Sequence, residues 1–378
     1  MAASKNKVLV VFIDALGPDQ LVRFGERLSF LPHTKKLDGI LGYSSGALPT
    51  ILTGQQPEAH GRMCLFSARA EGQTSILRPM KWLGLLPKIV HERGRVRRVA
   101  EKILKKSAKL EGYVALHRVP PHLFEWLDMP ERDDMFVSDD IGGAPTFLGD
   151  ARAAGLSVYS APWQLPEEER WAHTHATLKS QKPDLSFLYA TELDGIMHRE
   201  GPNGPEAWDA LDRIAKNVQR ARDILADDGS PLTTLLVGDH GMAQVDTFVD
   251  PRAMLRRIGS TKLFVDSTMI RAWGTDLQLG QLRREIEREA WGGTWLDGTE
   301  LDSRHVPQNH IFGKAMYVLP EGAIFAPSFL GGRIAGMHGY DVGSSCAKAG
   351  LASDQPISDS VTGIDSIAGI VREKLALF

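Results

Sequence analysis

The stretch "PLTTLLVGDHGM", residues 231–242, is aliphatic or β-branched from Leu232 to Val237, then sets a carboxylate, Asp239, beside an imidazole, His240, and a glycine. Side chains on an extended strand alternate between faces. Asp239 and His240 can therefore address one point only where the strand has ended and the chain turns. A mostly apolar run of this length without alternation reads as a strand buried on both faces of a parallel sheet. "KVLVVFI" (7–13), "LSVYSA" (156–161) and "DLSFLYA" (184–190) read the same way. Helical patterns at 166–181 and 205–228 separate the last three of these four runs. In the second helix Trp208, Leu211, Ile214, Val218, Ala221 and Leu225 share one face, with charge opposite. The alternation predicts an α/β fold: a mostly parallel sheet flanked by helices, with ligands beyond the carboxyl ends of its strands.

Elsewhere the rhythm changes. Residues 262–273 and 314–325 read as antiparallel strands at one edge of the sheet. Residues 66–150 are broken by Pro79, Pro87, Pro120, Pro121, Pro130 and Pro145 and carry basic helical segments. They read as a helical insertion, a cap over the active face, within a single catalytic domain spanning 1–378. The bulk numbers exclude several classes. A net charge of −3 gives no global bias toward nucleic acid. Two cysteines, Cys64 and Cys346, rule out a disulfide framework and a cysteine-built zinc site. The opening "MAASKNKVLVVFIDALG" enters a strand almost at once, its apolar run broken by Asp14, unlike a secretory leader. No run approaches the roughly 18 apolar residues of a membrane span, so a cytoplasmic location is expected.

The chemistry gathers at predicted strand ends. Asp14 closes the first strand. Asp194 and His198 follow "FLYA", four residues apart and so on one helical face. Asp239 and His240 close "LTTLLV", and His338 stands in "GMHGYD". Taken singly, a strand-end aspartate is a turn or cap residue, and a helical Asp–His pair is surface. Taken together, three carboxylates and three imidazoles with no thiolate suit two divalent ions, zinc foremost and manganese second. Such a pair clamps the attacking and leaving oxygens of a phosphoryl transfer. The nucleophile lies in "LGYSSGALPTILTGQQPEAHG" (41–61): Ser44 or Ser45, in a small-residue turn before a short helix whose start favours an anion.

The order Asp, Ser, Asp-x-x-x-His, Asp-His, His resembles the alkaline phosphatase superfamily, and most its type I phosphodiesterase/nucleotide pyrophosphatase branch. "TGQQPEAHG" is similar to that branch's TG-x-x-PE-x-HG segment, and "ELDGIMHREGP" to its D-x-x-GH-x-x-GP style, with Gly195 and His198 separated. The resemblance spans residues 14 to 338. It implies an alkaline-phosphatase-like fold and two zinc sites. Asp194, His198 and His338 would hold one; Asp14, Asp239, His240 and the nucleophile would hold the other. Counting back from Thr53-Gly54 puts Ser44 at the nucleophile position, with Ser45 one residue away. The branch's phosphate-binding asparagine falls here on Cys64 or Leu65, neither of which can replace an amide donor. Arg62 or a backbone N–H is the expected substitute, with Ser45 also near the substrate. A sulfatase's C/S-x-P-x-R segment is absent.

The expected activity is a metal-dependent phosphohydrolase acting on a small phosphorylated substrate, a phosphodiester or pyrophosphate, through a phospho-seryl intermediate. A phosphomonoesterase, a phosphotransferase and an inactive metal-binding adaptor are the alternatives. His60 reads as structural, His173 and His175 as solvated helix surface, and His305 and His310 as polar loop residues. Trp82, Phe124 and Trp126 read as the small core of the insertion, with base stacking as the other use. Residues 88–109 form a basic helical stretch with an apolar stripe of Val96, Val99, Ile103 and Leu104. It reads as a solvated helix docked by that stripe, with contact to an anionic membrane or nucleic acid, or steering of a phosphate-bearing substrate, as the alternatives.

Overall fold

The computed structural model describes residues 6–259 and 261–377. Residues 1–5, part of the segment read for a leader, lie outside them. Ten strands position the site: β1 (Lys7–Ile13), β2 (His33–Leu37), β3 (Val158–Ser160), β4 (Leu185–Ala190), β5 (Leu232–Val237), β6 (Lys262–Val265), β7 (Met269–Trp273), β8 (Thr294–Asp297), β9 (Ala315–Val318) and β10 (Ala349–Ser353). The main sheet has the order β2-β10-β5-β1-β4-β3. Its centre is parallel, β1 pairing with both β4 and β5 and β3 with β4. β10 enters antiparallel between β5 and β2. This is the α/β, mostly parallel sheet the apolar runs predict. β2 and β10 carry no long apolar run and were not foreseen.

The helices that matter are α1 (Ser44–Thr53), α2 (Gly94–Ser107), α3 (Phe147–Ala153), α4 (Glu167–Gln181), α5 (Glu192–Glu200), α6 (Pro205–Ala226) and α7 (Ser366–Lys374). β1 is buried along its whole length because both its faces are covered. Leu9, Val11 and Ile13 pack with α4 and α6 through Trp171, Leu178, Leu211, Ile214 and Val218. Val8, Val10 and Phe12 pack with α1, α3 and α7 through Leu48, Ile51, Phe147, Leu148, Ile367 and Val371. Each such side chain contributes about 1.5–3 kcal/mol. α6 begins with Pro205 after Gly204, where a missing N–H costs nothing. Three glutamates open α4, complementing its dipole. One of them, Glu167, reaches the next helix: its Oε2 accepts from the backbone N–H of Thr191 and Glu192, both at 2.7 Å, which fixes the start of α5.

The register brings the strand ends level. Ile13 lies opposite Ala190, and Phe12 opposite Val237. Asp14 donates its N–H to the Ala190 carbonyl at 2.9 Å. The residues that follow β1, β4 and β5 therefore emerge on one edge.

The strands at 262–273 and 314–325 are antiparallel but do not lie at the edge of the main sheet. With β8 they form a separate four-stranded sheet, β6-β7-β9-β8, with its own core around Leu263, Val265, Ile270, Leu282 and Phe325. Sequence spacing carries no information on which sheet a hairpin joins. Residues Phe66 to Met129 hold a further apolar cluster, including Leu77, Leu83, Leu104 and Phe124. Met135, Phe136, Ile141 and Phe147 instead pack against the main sheet. Among the described residues no helix is long and apolar enough to cross a membrane.

Candidate metal centre

Asp14, Asp194, His198, Asp239, His240, His338 and Ser44 all meet at the edge defined by β1, β4 and β5. Asp194 and His198 sit one turn apart on α5, with His198 Nε2 3.3 Å from Asp194 Oδ1. His338 Nε2 is 3.7 Å from the same oxygen. On the other side, His240 Nε2 stands 3.1 Å from Asp239 Oδ2 and 3.5 Å from Asp14 Oδ1. Among the described residues two groups have the spacing to hold a cation: Asp194, His198 and His338, and Asp14, Asp194 and His240. Asp194 belongs to both.

Local structure explains the convergence. Gly238 has no side chain because the chain leaving β1 passes over it: a Cβ there would lie 2.0 Å from the Leu16 carbonyl oxygen. Gly238 and Gly350 instead form backbone bonds, Gly238 N–H to Gly350 O and Gly350 N–H to Leu16 O, both 2.8 Å. Ala15 takes a left-handed φ of 64°, uncommon for a residue with a Cβ. That turn lets its N–H bond Asp239 Oδ1 at 3.2 Å. Asp239 Oδ2 is left facing His240.

Ser44 is the first residue of α1. Its Oγ lies 3.4 Å from Asp14 Oδ1 and 3.2 Å from His240 Nε2. Ser45 points elsewhere, its Oγ 3.5 Å from the Met63 carbonyl, although it borders the same cavity. Of the two hydroxyls, that of Ser44 is the one beside Asp14 and His240. Arg62 does not line the cavity. Its N–H bonds His60 Nδ1 at 3.2 Å, and its guanidinium lies near Glu131 and Asp133.

The donor set fits bound cations. His198 Nδ1 and His240 Nδ1 each lie 2.8 Å from a backbone carbonyl, of Gly336 and Gly241. Nδ1–H donation there leaves each Nε2 lone pair facing a carboxylate, a repulsive arrangement unless a positive charge lies between. Asp194 Oδ1, Asp239 Oδ2 and His338 Nδ1 are buried without hydrogen-bond partners, which is costly unless a ligand completes them. Burial, then Asp239 and Asp194, raise the Asp14 carboxyl well above the usual range. Burial opposes charge on His240, yet Asp239, Asp14 and Asp194 outweigh it and lift the imidazole to about 10. His338 is driven well down by burial and by His240 and His198. A cluster that pulls positive charge onto one imidazole is short of positive charge.

The centre opens into a cavity of about 580 Å³. Tyr43, Tyr113, Phe136, Trp163 and Tyr189 supply aromatic walls, and no lysine or arginine is among the lining residues. These aromatics were missed in the sequence because they come from five separate segments. Tyr43 alone had a signal, standing directly before Ser44. Asp266 and Glu131 also border the cavity. Asp266 is neutralised by the fully buried Arg271 at 2.6 Å, while burial lifts Glu131 to about 7. Leu65 lines the cavity, but Cys64 is buried and its thiol is pushed up to about 12 by burial. Neither offers the amide donor of the resembled branch.

Trp82, Phe124 and Trp126 do not line the cavity: Phe124 is buried in the cluster around Leu83, and Trp126 packs edge-on against Trp273. His60 is structural. Its Nδ1 accepts from Arg62, so Nε2–H donates to Thr50 Oγ1 at 3.0 Å, and Thr50 donates to Gly46 O at 3.0 Å, bracing α1. His175 is not solvated as expected; it is buried beside Trp171, with Nε2 3.1 Å from the Asn217 carbonyl. His173 bonds Tyr159, and His305 lies 3.2 Å from Glu58.

The profile of the type I phosphodiesterase/nucleotide pyrophosphatase family matches residues 8–341. No curated protein sequence matches the chain. Among solved structures, human ectonucleotide pyrophosphatase/phosphodiesterase 5 superposes with a TM-score of 0.69 at 14% identity, covering 98% of this chain and 95% of that one. The murine counterpart, an inactive variant in complex with AMP, gives 0.69 at 16% identity, covering 99% and 96%. At these identities the likeness is one of fold, and that fold is alkaline-phosphatase-like.

Proposed function

The chain belongs to the type I phosphodiesterase/nucleotide pyrophosphatase family and is a hydrolase of that type; from that premise we propose that Ser44 is its nucleophile, that the centre takes two zinc ions, and that the substrate is a small phosphodiester or pyrophosphate. One observation carries this reading. The Ser44 hydroxyl rests against Asp14 and His240, with Asp194, His198 and His338 gathered on the other side.

Asp194, His198 and His338 would hold one ion; Asp14, Asp239, His240 and Ser44 would hold the other. Bound there, the ions would supply Lewis acidity, easing ionisation of the serine hydroxyl and offsetting charge on the phosphoryl and leaving oxygens. Ser44 loses its proton to solvent and its Oγ forms the new bond to phosphorus as the ester or anhydride P–O bond breaks. The leaving oxygen departs with its electron pair and is protonated. Water then attacks the phospho-seryl group, releasing phosphate ester and restoring the serine. The first turn of α1 presents N–H groups where an amide side chain would otherwise serve, since a helix start favours an anion.

A cavity without lysine or arginine suits the single negative charge of a diester better than the two of a monoester. Its aromatic walls can stack on a base, in keeping with the AMP held by the murine relative. Rates on bis-p-nitrophenyl phosphate and p-nitrophenyl phosphate, with metal analysis and with chelator, test the reading. Diester hydrolysis that chelator abolishes and zinc restores is expected. Preference for the monoester, or product that depends on an added alcohol, would replace it with a monoesterase or a transferase. Zinc bound without turnover of either substrate would leave an adaptor.

A further inference from the structure

The cap turns unusual residues outward. Leu85 is 87% exposed, Ile89 72%, Val99 56%, Ile103 48% and Trp82 37%. These are five of ten large exposed hydrophobic side chains among the described residues, and all lie within 22 positions. They belong to three elements packed on one another: a 3-10 helix (Arg78–Leu85), a helical turn (Lys88–His91) and α2. The apolar stripe read from the sequence is split. Leu104, with Ala100 and the half-buried Val96, docks on the core of the cap, while Val99 and Ile103 face outward. The outward face of α2 therefore carries Arg95, Val99, Lys102, Ile103 and Lys106, each three or four positions from another of the set.

Lys81 and Lys88 of this surface are paired, with Glu125 and Glu92, but most of its positive charge is not. Arg93, Arg95, Arg98, Lys102, Lys106 and Lys109 are exposed, and none has an acidic partner within 4 Å among the described residues. A solvated helix has no need of isoleucine and valine between its lysines. A protein partner's site gathers apolar side chains centrally and is poor in lysine; here the two kinds alternate. A nucleic acid would engage the cations and leave Leu85 and Ile89 uncovered.

We propose that this face docks on an anionic bilayer. Leu85 and Ile89 enter below the headgroups, Trp82 lies at headgroup level, and the arginines and lysines of α2 meet lipid phosphates and carboxylates. The same cap contributes Tyr113 and His117 to the cavity wall, so docking would hold the catalytic centre beside the membrane. The inference does not depend on which ester the centre cleaves.

The test is co-sedimentation of the full-length, zinc-loaded protein with phosphatidylcholine vesicles, with and without phosphatidylserine. Binding to the phosphatidylserine vesicles is expected, at least about tenfold tighter than to phosphatidylcholine alone and weakened by salt. Leu85→Glu with Ile89→Glu should weaken it about tenfold or more, as should Lys102→Glu with Lys106→Glu. Both double variants change exposed groups, so hydrolysis of soluble diester should be unchanged, which also reports that they fold. Absence of sedimentation with anionic vesicles would overturn the proposal. So would equal binding by the wild type and both variants, or a wild-type dimer that Leu85→Glu dissociates.

Discussion

His240 and His338 stack face to face, ring centroids 3.6 Å apart and planes 9° from parallel. One follows β5 and the other follows the short strand Gly336–Met337, and each belongs to a different candidate cation group. The groups thus share a wall as well as Asp194. His338→Ala should lower metal content by more than one ion per chain, since His240 loses the surface that orients it. Metal analysis after dialysis against a weak chelator measures this; clean loss of a single ion would show that the stack does not couple the groups.

Ser44→Ala should reduce turnover by roughly three orders of magnitude or more while leaving bound metal nearly intact. Ser45→Ala should cost only about threefold, because its hydroxyl faces the Met63 carbonyl. Steady-state kinetics on one diester, paired with metal analysis, separates the two serines.

Without metal, three carboxylates crowd one imidazolium. Chelator should therefore lower the melting temperature, since a cation that binds only the folded chain stabilises it by mass action. Asp14→Asn removes a charge that burial, Asp239 and Asp194 all disfavour. In chelator this variant should be more stable than wild type by about 1 kcal/mol and so melt higher; with zinc the order should reverse. Thermal unfolding under both conditions reads the sign directly.

Gly339 stands at φ +83°, and a Cβ there would lie 2.4 Å from the Tyr43 ring. Tyr43 packs edge-on to His338 at 5.7 Å and bonds Thr268 through its hydroxyl at 2.9 Å. Gly339→Ala should destabilise the fold by about 1–3 kcal/mol and weaken metal retention more than a substitution at Gly343, where a Cβ meets nothing within 4 Å. Denaturant titration and metal analysis of both variants make the comparison.

Burial, with Arg62 nearby, lowers the His60 imidazole from 6.5 to about 4. Its folded pKa lies below its unfolded one, so the unfolded chain binds the extra proton between those values. The stability is complete above 6.5 and is lost as pH falls toward 4, by up to roughly 3 kcal/mol. Urea midpoints measured in chelator should fall across that window. They should fall less in His60→Gln, which has no proton to take up.

The parallel strands were legible because burial on both faces writes a continuous apolar run. Their level ends made Asp14, Asp194 and Asp239 readable as neighbours. The spacing from Thr53-Gly54 favoured Ser44 over Ser45 by resemblance alone, and which hydroxyl faces Asp14 became visible only in three dimensions. β2 and β10 escaped because "HTKKL" and "AGLAS" owe their extended form to sheet partners distant in sequence. Val99 and Ile103 were misassigned because an apolar residue on a helix does not reveal whether anything covers it. The cavity's aromatics had no mutual spacing to betray them.

β10 slots between two strands that are translated long before it. During synthesis β2 has no neighbour to pair with, although Asp14, Ser44, Asp194 and His240 have already emerged. Every candidate metal ligand precedes Tyr340, ahead of the strand that closes the sheet, and such long-range closure is slow. Joining β2 to the parallel centre of the sheet therefore waits on a strand more than 300 residues further along the chain.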